Sequence, residues 1–311
     1  MKRGTWTSIG IGLVALLGMQ AQALPPNAKH IASDAKWFLH ADADALRATE
    51  AFKQIRADAQ AKADFNLDEW LERVKLTLGF NPLTDLKGIT LYATTFEEGV
   101  AAGLIYAKVD QNTLLKLILV NPHYNKEKYG DHTIHTWKDE KGKLPAGCFY
   151  NEELIVIGDK AATVKEAMDV LTGKKAGGCA LVKEPPAGSV LVGAATGLQD
   201  LANRPGSQML KHAEAIDLSL AEKAGKLSGA MTIKAVSPER ATQMKKLAEG
   251  LKALAQLDPN QTAQVGQLLD MLGADVDGQR VMLRIDANSG DLLRLLKVLK
   301  EQRGPTAKDP L

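Results

Sequence analysis

Between Ile89 and Val109 apolar and polar residues alternate with a period of two. Ile89, Leu91 and Ala93 are interleaved with Thr90, Tyr92 and Thr94, Phe96 to Gly99 interrupt the pattern, and Val100, Ala102, Leu104 and Tyr106 resume it. Alternation of this kind describes a β-hairpin with one face toward the core. Thr90, Tyr92 and Thr94 are expected on its solvent-facing side. The period then changes, because Leu114, Leu115, Leu117 and Ile118 recur at helical spacing behind Asp110, a favoured N-cap type. The arrangement returns 127 positions later. Ile216, Leu218 and Leu220 alternate with polar residues that include Asp217 and Ser219, Glu222 to Lys226 turn around Gly225, and Leu227, Met231 and Ile233 follow. Ser237 then caps a helix with Pro238 at its first position. The two hairpins predict an α+β fold, an internally duplicated unit of antiparallel β-hairpins packed against helices.

The remaining elements follow from the same periodicities. Trp37, Phe38 and Leu39 mark a first strand, and an alanine-rich helix is expected from Ala45 to Lys62 with Asp44 as its N-cap. Leu67, Trp70, Leu71, Val74 and Leu78 lie on one helical face, which Gly79 ends. After a loop from Asn121 to Tyr129, strands are expected at Asp131–Trp137, Gly147–Tyr150 and Leu154–Gly158, then a helix from Lys160 to Leu171. Gly, Lys, Ala and two prolines fill residues 173–188, a linker that divides a first half (24–172) from a second (189–303). In the second half a strand at Ser189–Ala194 precedes the hairpin. Helices at Glu239–Leu257 and Gln261–Leu272, a Val276-Asp277-Gly278 turn, a strand at Gln279–Asp286 and a helix capped by Ser289 follow it. Residues 304–311 are expected to be a mobile tail.

The amino-terminal end changes the picture of where the chain works. Lys2 and Arg3 precede an apolar run from Ile9 to Met19 that closes on Ala21, Gln22 and Ala23, the pattern of a secretory signal peptide over 1–23 with a small-x-small cut site. The run is far shorter than the roughly twenty residues a membrane span needs. The expected product begins at Leu24, is soluble and exported to the periplasm or beyond, and has no transmembrane segment. Cleavage removes two of the 39 basic residues and none of the 37 acidic ones, leaving no net charge. Phosphate neutralisation needs a basic surplus, so nucleic acid is excluded as a partner class. Cys148 and Cys179 are permitted to form a disulfide in an oxidising compartment, and two buried thiols are the alternative.

Tyr129 to Trp137, Gly147 to Tyr150, Ile155 to Asp159, the connection from Leu78 to Leu91 and the helix around Ala167 to Gly173 together resemble a family of uncharacterised exported bacterial proteins of about 300 residues. The resemblance is carried by patterned apolar and turn residues over positions 30 to 180. It implies a fold and no assigned activity, so it transfers no functional residue.

Candidate chemistry is sparse. His132 and His135 are zinc-ligand types, yet residues three apart in a strand point to opposite faces. Asp42 and Asp44 form an acidic pair after the first strand, suited to a hard cation, with helix capping by Asp44 as the simpler role. Asp275, Asp277 and Gly278 echo a calcium loop but lack its further ligands. No Gly-x-Ser-x-Gly elbow or phosphate-binding glycine loop is present in the expected mature chain, and no cofactor is expected. Leu292, Leu293, Leu295, Leu296, Val298 and Leu299 cover about 220° of a helical wheel. Leu293, Leu296 and Leu299 therefore form a candidate interaction surface. These features point to a non-enzymatic envelope protein, a binding or structural module whose partner is another envelope protein or itself. An exported metal-dependent hydrolase using His132 and His135, and a carrier of an apolar ligand, are the alternatives.

Overall fold

The strands of the computed structural model, which describes residues 24–61, 66–202, 207–256 and 263–302, join into one antiparallel sheet. The first half runs β1 (Trp37–Asp42), α1 (Ala43–Ala48), α2 (Glu50–Gln60), α3 (Leu67–Leu78), β2 (Leu86–Ala93), β3 (Ala102–Ala107) and α4 (Gln111–Leu119). It continues with β4 (Asn125–Tyr129), β5 (His132–Thr136), β6 (Ala146–Phe149), β7 (Leu154–Gly158) and α5 (Ala161–Leu171). The second half contains β8 (Ser189–Thr196), β9 (Ala213–Lys223), β10 (Lys226–Ala235), α6 (Pro238–Gln256), α7 (Ala263–Asp270), β11 (Leu272–Asp277), β12 (Arg280–Asn288) and α8 (Ser289–Gln302). The expected signal peptide and tail lie outside the described residues.

Local chemistry explains the boundaries. The Asp110 carboxylate accepts the backbone N–H groups of Asn112 and Thr113 and starts α4. Gly79, at φ 74°, ends α3 in the left-handed conformation that glycine adopts without strain. Ala224 and Gly225, at φ 51° and 74°, make the tight turn of the second hairpin.

The twelve strands are ordered β11-β12-β10-β9-β8-β1-β2-β3-β7-β6-β5-β4. The halves meet where β1 pairs with β8, with Phe38 opposite Ala194 and His40 opposite Val192. Outward from that contact one side reads β1-β2-β3-β7-β6 and the other β8-β9-β10-β12-β11, with β4 and β5 as an addition to the first. The halves share a path of strands; a duplicated unit is not established by it. The expected linker packs on the first half, where the backbone N–H groups of Gly178 and Cys179 both donate to the Ala28 carbonyl.

Registers define two faces. On the first, one row runs from His40 through Thr90, Leu104, Val156 and Cys148 to Ile134, with Phe38, Tyr92 and Ala102 in the row beside it, and Val164, Ala167 and Met168 of α5 close them into the main core. Ile31 and Ala32 complete that core from the amino-terminal segment. A smaller core lies on the second face, where Ala241 and Met244 of α6 pack on Ile233, Val276, Val281 and Leu283.

Several elements depart from expectation. The single helix expected at Ala45–Lys62 is divided at Thr49, whose backbone turns extended (φ −67°, ψ 147°). The stretch expected to be a loop at Asn121–Tyr129 holds β4, and of the expected Val276-Asp277-Gly278 turn only Gly278 is in the turn, Val276 and Asp277 ending β11. Asn288, not Ser289, caps α8, its side chain accepting from the N–H groups of Gly290 and Asp291.

Candidate functional site

The hairpin faces are reversed from the solvent-facing assignment. Thr90 and Tyr92 are 0% and 4% exposed, beneath α5 and the amino-terminal segment, whereas Ile89 and Leu91 lie half-exposed on the second face. The reason is a set of polar partners that the alternation does not reveal. Thr90 Oγ1 pairs with His40 Nδ1 at 2.8 Å, and the Tyr106 hydroxyl pairs with His30 Nδ1 at 3.1 Å. Satisfied hydrogen bonds remove most of the cost of burying these groups.

The second face is apolar across the middle of the sheet. Register carries one row from Phe149 through Ile155, Ile105, Ile89, Ala41 and Leu191 to Leu220, and a neighbouring row from Ile157 through Gly103, Leu91, Leu39, Gly193 and Leu218 to Met231. Ile157 and Met231, near the two ends, are 36% and 37% exposed. Glycine makes this face smooth. A Cβ on Gly103 would stand 2.7 Å from Ile157 Cγ1, and one on Gly193 would stand 3.0 Å from Leu39 Cδ1. The Ile157 and Leu39 side chains therefore lie across their glycine neighbours.

Two amphipathic helices border the rows. Leu117, Leu119 and Val120 are exposed at the end of α4, and Leu247, Leu251 and Leu254 form an exposed stripe on α6 at helical spacing. Beneath α4, Leu115 and Leu119 face Thr133, His135 and Phe149 across a cavity of about 540 Å³ that Lys126 and Lys128 also line. Register places both lysines on the second face, opposite His135 and Thr133. The Tyr124 hydroxyl lies 2.9 Å from His135 Nδ1, and burial, then the Lys126 charge, lowers the His135 pKa. The lysines are accordingly the cationic groups at this end of the apolar face, beside the carboxylates of Glu127 and Asp131.

The other candidate residues take separate structural partners. His132 Nε2 donates to the Tyr150 carbonyl oxygen at 3.1 Å, in a ring stack with Tyr150, while His135 pairs with Tyr124. Among the described residues no group of three His, Cys, Asp or Glu side chains is arranged to hold a metal ion. The roles of Asp42 and Asp44 are exchanged relative to expectation. Asp42 is buried and caps α1 by accepting the Ala45 N–H at 2.8 Å, while Asp44 pairs with Arg47 and Lys87. Asp275 pairs with Arg284 beside the turn at Gly278, whose φ is 56°. Cys148 and Cys179 stand as two free thiols in one core, and burial pushes the Cys148 thiol up to about 11. Leu293 is half-exposed, and the side chains of Leu296 and Leu299 lie outside the described residues.

No helix among the described residues is long and apolar enough to cross a membrane. No protein-family model and no curated protein matches the chain. Its fold is similar to crystal structures of a protein designated TP0453. Form III aligns with a TM-score of 0.48 at 6% identity over 88% of this chain and 99% of that one. Form IV gives 0.46 at 7% over 89% and 97%, and form I gives 0.44 at 9% over 89% and 98%.

Proposed function

We propose that this protein is an exported, non-catalytic binding module that takes a long-chain anionic amphiphile on its apolar sheet face. The observation that supports the reading is the inversion of the hairpin: Thr90 and Tyr92 are buried, while Ile89 and Leu91 are left half-exposed. A contiguous apolar surface of this kind marks an interaction site in a soluble protein. The charge at its edge favours an amphiphile over a purely apolar molecule. From β4, with Lys126 and Lys128, to β3, with Ile105, the sheet spans four interstrand steps, about 19 Å. A long acyl chain covers that distance with its carboxylate at the lysines and its tail over Phe149, Ile155 and Ile105.

Titration with a fluorescent long-chain fatty acid tests the proposal. Saturable binding is expected, weakened at least about tenfold by Ile157→Glu, which places a charge in the path of the tail. The double change Lys126→Glu with Lys128→Glu is expected to weaken the acid more than the alcohol of equal chain length. Absence of saturable binding by folded protein, or equal affinity in all three forms, would overturn it. A dimer by light scattering that dissociates in the Ile157→Glu variant would favour self-association of this face instead.

A further inference from the structure

Leu24, which follows the expected cut site, is tied to the central strands by its backbone and its side chain. His40 Nε2 lies 2.7 Å from the Leu24 carbonyl oxygen, and the Leu24 backbone N–H donates to the Asp42 carboxylate. The Leu24 side chain rests over Gly88, where an added Cβ would meet Leu24 Cδ2 at 3.4 Å and His40 Cε1 at 3.2 Å. Both polar partners are buried, His40 at 2% exposure and Asp42 at 3%. The same strand side carries the ladder onward: His40 to Thr90, then Tyr106 to His30, then His30 Nε2 to Asn27 Nδ2 at 3.1 Å. A polar ladder thus ties residues 24 to 30 to the central strands.

Asp42 is the unbalanced member of this group. Its carboxylate sits beside that of Asp44, and Arg47 and Lys87 pair with Asp44. Burial pushes the Asp42 carboxyl above the usual carboxylate range, the Ala45 and Leu24 N–H groups and His40 oppose the shift, and the Asp44 charge adds to it. The one backbone nitrogen at Asp42 that becomes ionisable on processing is that of Leu24, the residue that follows the Ala21-Gln22-Ala23 cut site.

We propose that leader cleavage completes this site: the α-ammonium created on Leu24 becomes the buried counter-ion of Asp42, so that the processed chain is held by an ion pair the precursor lacks. Hydrolysis of the Ala23–Leu24 peptide bond by a leader peptidase consumes one water. It leaves a carboxylate on Ala23 and an amine on Leu24 that takes up a proton. A neutral N–H donor is thereby replaced by a charged one at the same carboxylate, and charge-assisted hydrogen bonds are roughly twice as strong as neutral ones. A cavity of about 260 Å³ lined by Leu24, Pro26, His40, Asp42 and Glu184 leaves room for the ammonium and its remaining partners. The proposal rests on the leader assignment and makes its cut position matter to the folded state.

Chains that begin at Leu24, begin one residue earlier at Ala23, or begin at Leu24 with an acetylated amine are compared in urea. The Leu24 chain is expected to be the most resistant, with an unfolding equilibrium constant about tenfold smaller than the other two. Asp42→Asn also weakens the α1 cap, so it lowers all three, and it is expected to abolish the difference between them. A second measurement does not depend on that variant folding. The α-amino group, dimethylated with carbon-13 and followed by NMR, is expected to titrate above its usual value of about 7.7–8.0 because the Asp42 carboxylate accepts from it and Glu184 lines the same cavity. Equal stability of the three chains, or an α-amine that titrates at the usual value, would overturn the ion pair. Amino-terminal sequencing of protein recovered from exporting cells tests the leader separately: a start other than Leu24 refutes that assignment and leaves the ion-pair measurements on the defined chains unaffected.

Discussion

Glycines inside strands set the character of the open face. Gly103 and Gly229 let Ile157 and Ile285 lie across them, since an added Cβ would approach within 2.7 Å in each case. Gly103→Ala is therefore expected to push Ile157 upright and to cost about 1–2 kcal/mol. In an Ile157→Ala background the same change is expected to cost less than half as much, because the clashing partner is gone. Urea denaturation of the four proteins in the cycle measures the coupling. A strand glycine is legible in sequence as a close approach, but which neighbour approaches is set by register. The histidines show the same limit. Their types pointed to metal, and only the fold shows that Tyr124 and Tyr150 are their separate partners.

Among the elements, those with an apolar face or a clear cap were legible and those without were not. The helices at Leu67–Leu78 and Gln111–Leu119 and both hairpins stand where the periodicity puts them. The two strands absent from the expectation, β4 and β11, are the two outer edges of the sheet. An edge strand needs no regular apolar row, and charge on it discourages pairing with another chain. Asn125-Lys126-Glu127-Lys128-Tyr129 carries three charges in five residues, so its sequence reads as a loop. The break between α1 and α2 has a comparably local cause. Thr49 accepts the Phe52 N–H through Oγ1 at 3.0 Å and donates that hydroxyl to the Leu46 carbonyl at 2.7 Å, ending one helix and starting the next. Thr49→Ala is expected to cost about 1 kcal/mol. Thr49→Ser, which keeps the hydroxyl, is expected to restore most of it in thermal or urea unfolding.

At the scale of the molecule, an α+β fold with antiparallel hairpins was legible, but the side of the sheet that faces the core was not. The alternation in β2 is symmetric in form, and the choice of buried side was decided by distant polar partners: His40 for Thr90, and His30 for Tyr106. Those partners make stability depend on pH. Burial lowers the pKa of His30, His40 and His135 below the ordinary 6.5, and Lys126 adds to the shift at His135. The folded chain therefore binds fewer protons than the unfolded chain once pH falls below about 6.5, and linkage then removes stability as acid is added. Asp42 works in the opposite sense, since its carboxyl lies above the ordinary 3.8 and gains stability on protonation, but in a more acidic range. The urea midpoint is expected to fall steadily from pH 7.5 to 5.5. His135→Gln is expected to flatten that fall without altering the α-amine titration of the Leu24 chain, because His135 sits on the opposite sheet face from His40 and Asp42. A midpoint constant across this range would mean that His135 is not held neutral against Tyr124 and that His30 and His40 are not held in the buried ladder that accompanies the inverted hairpin.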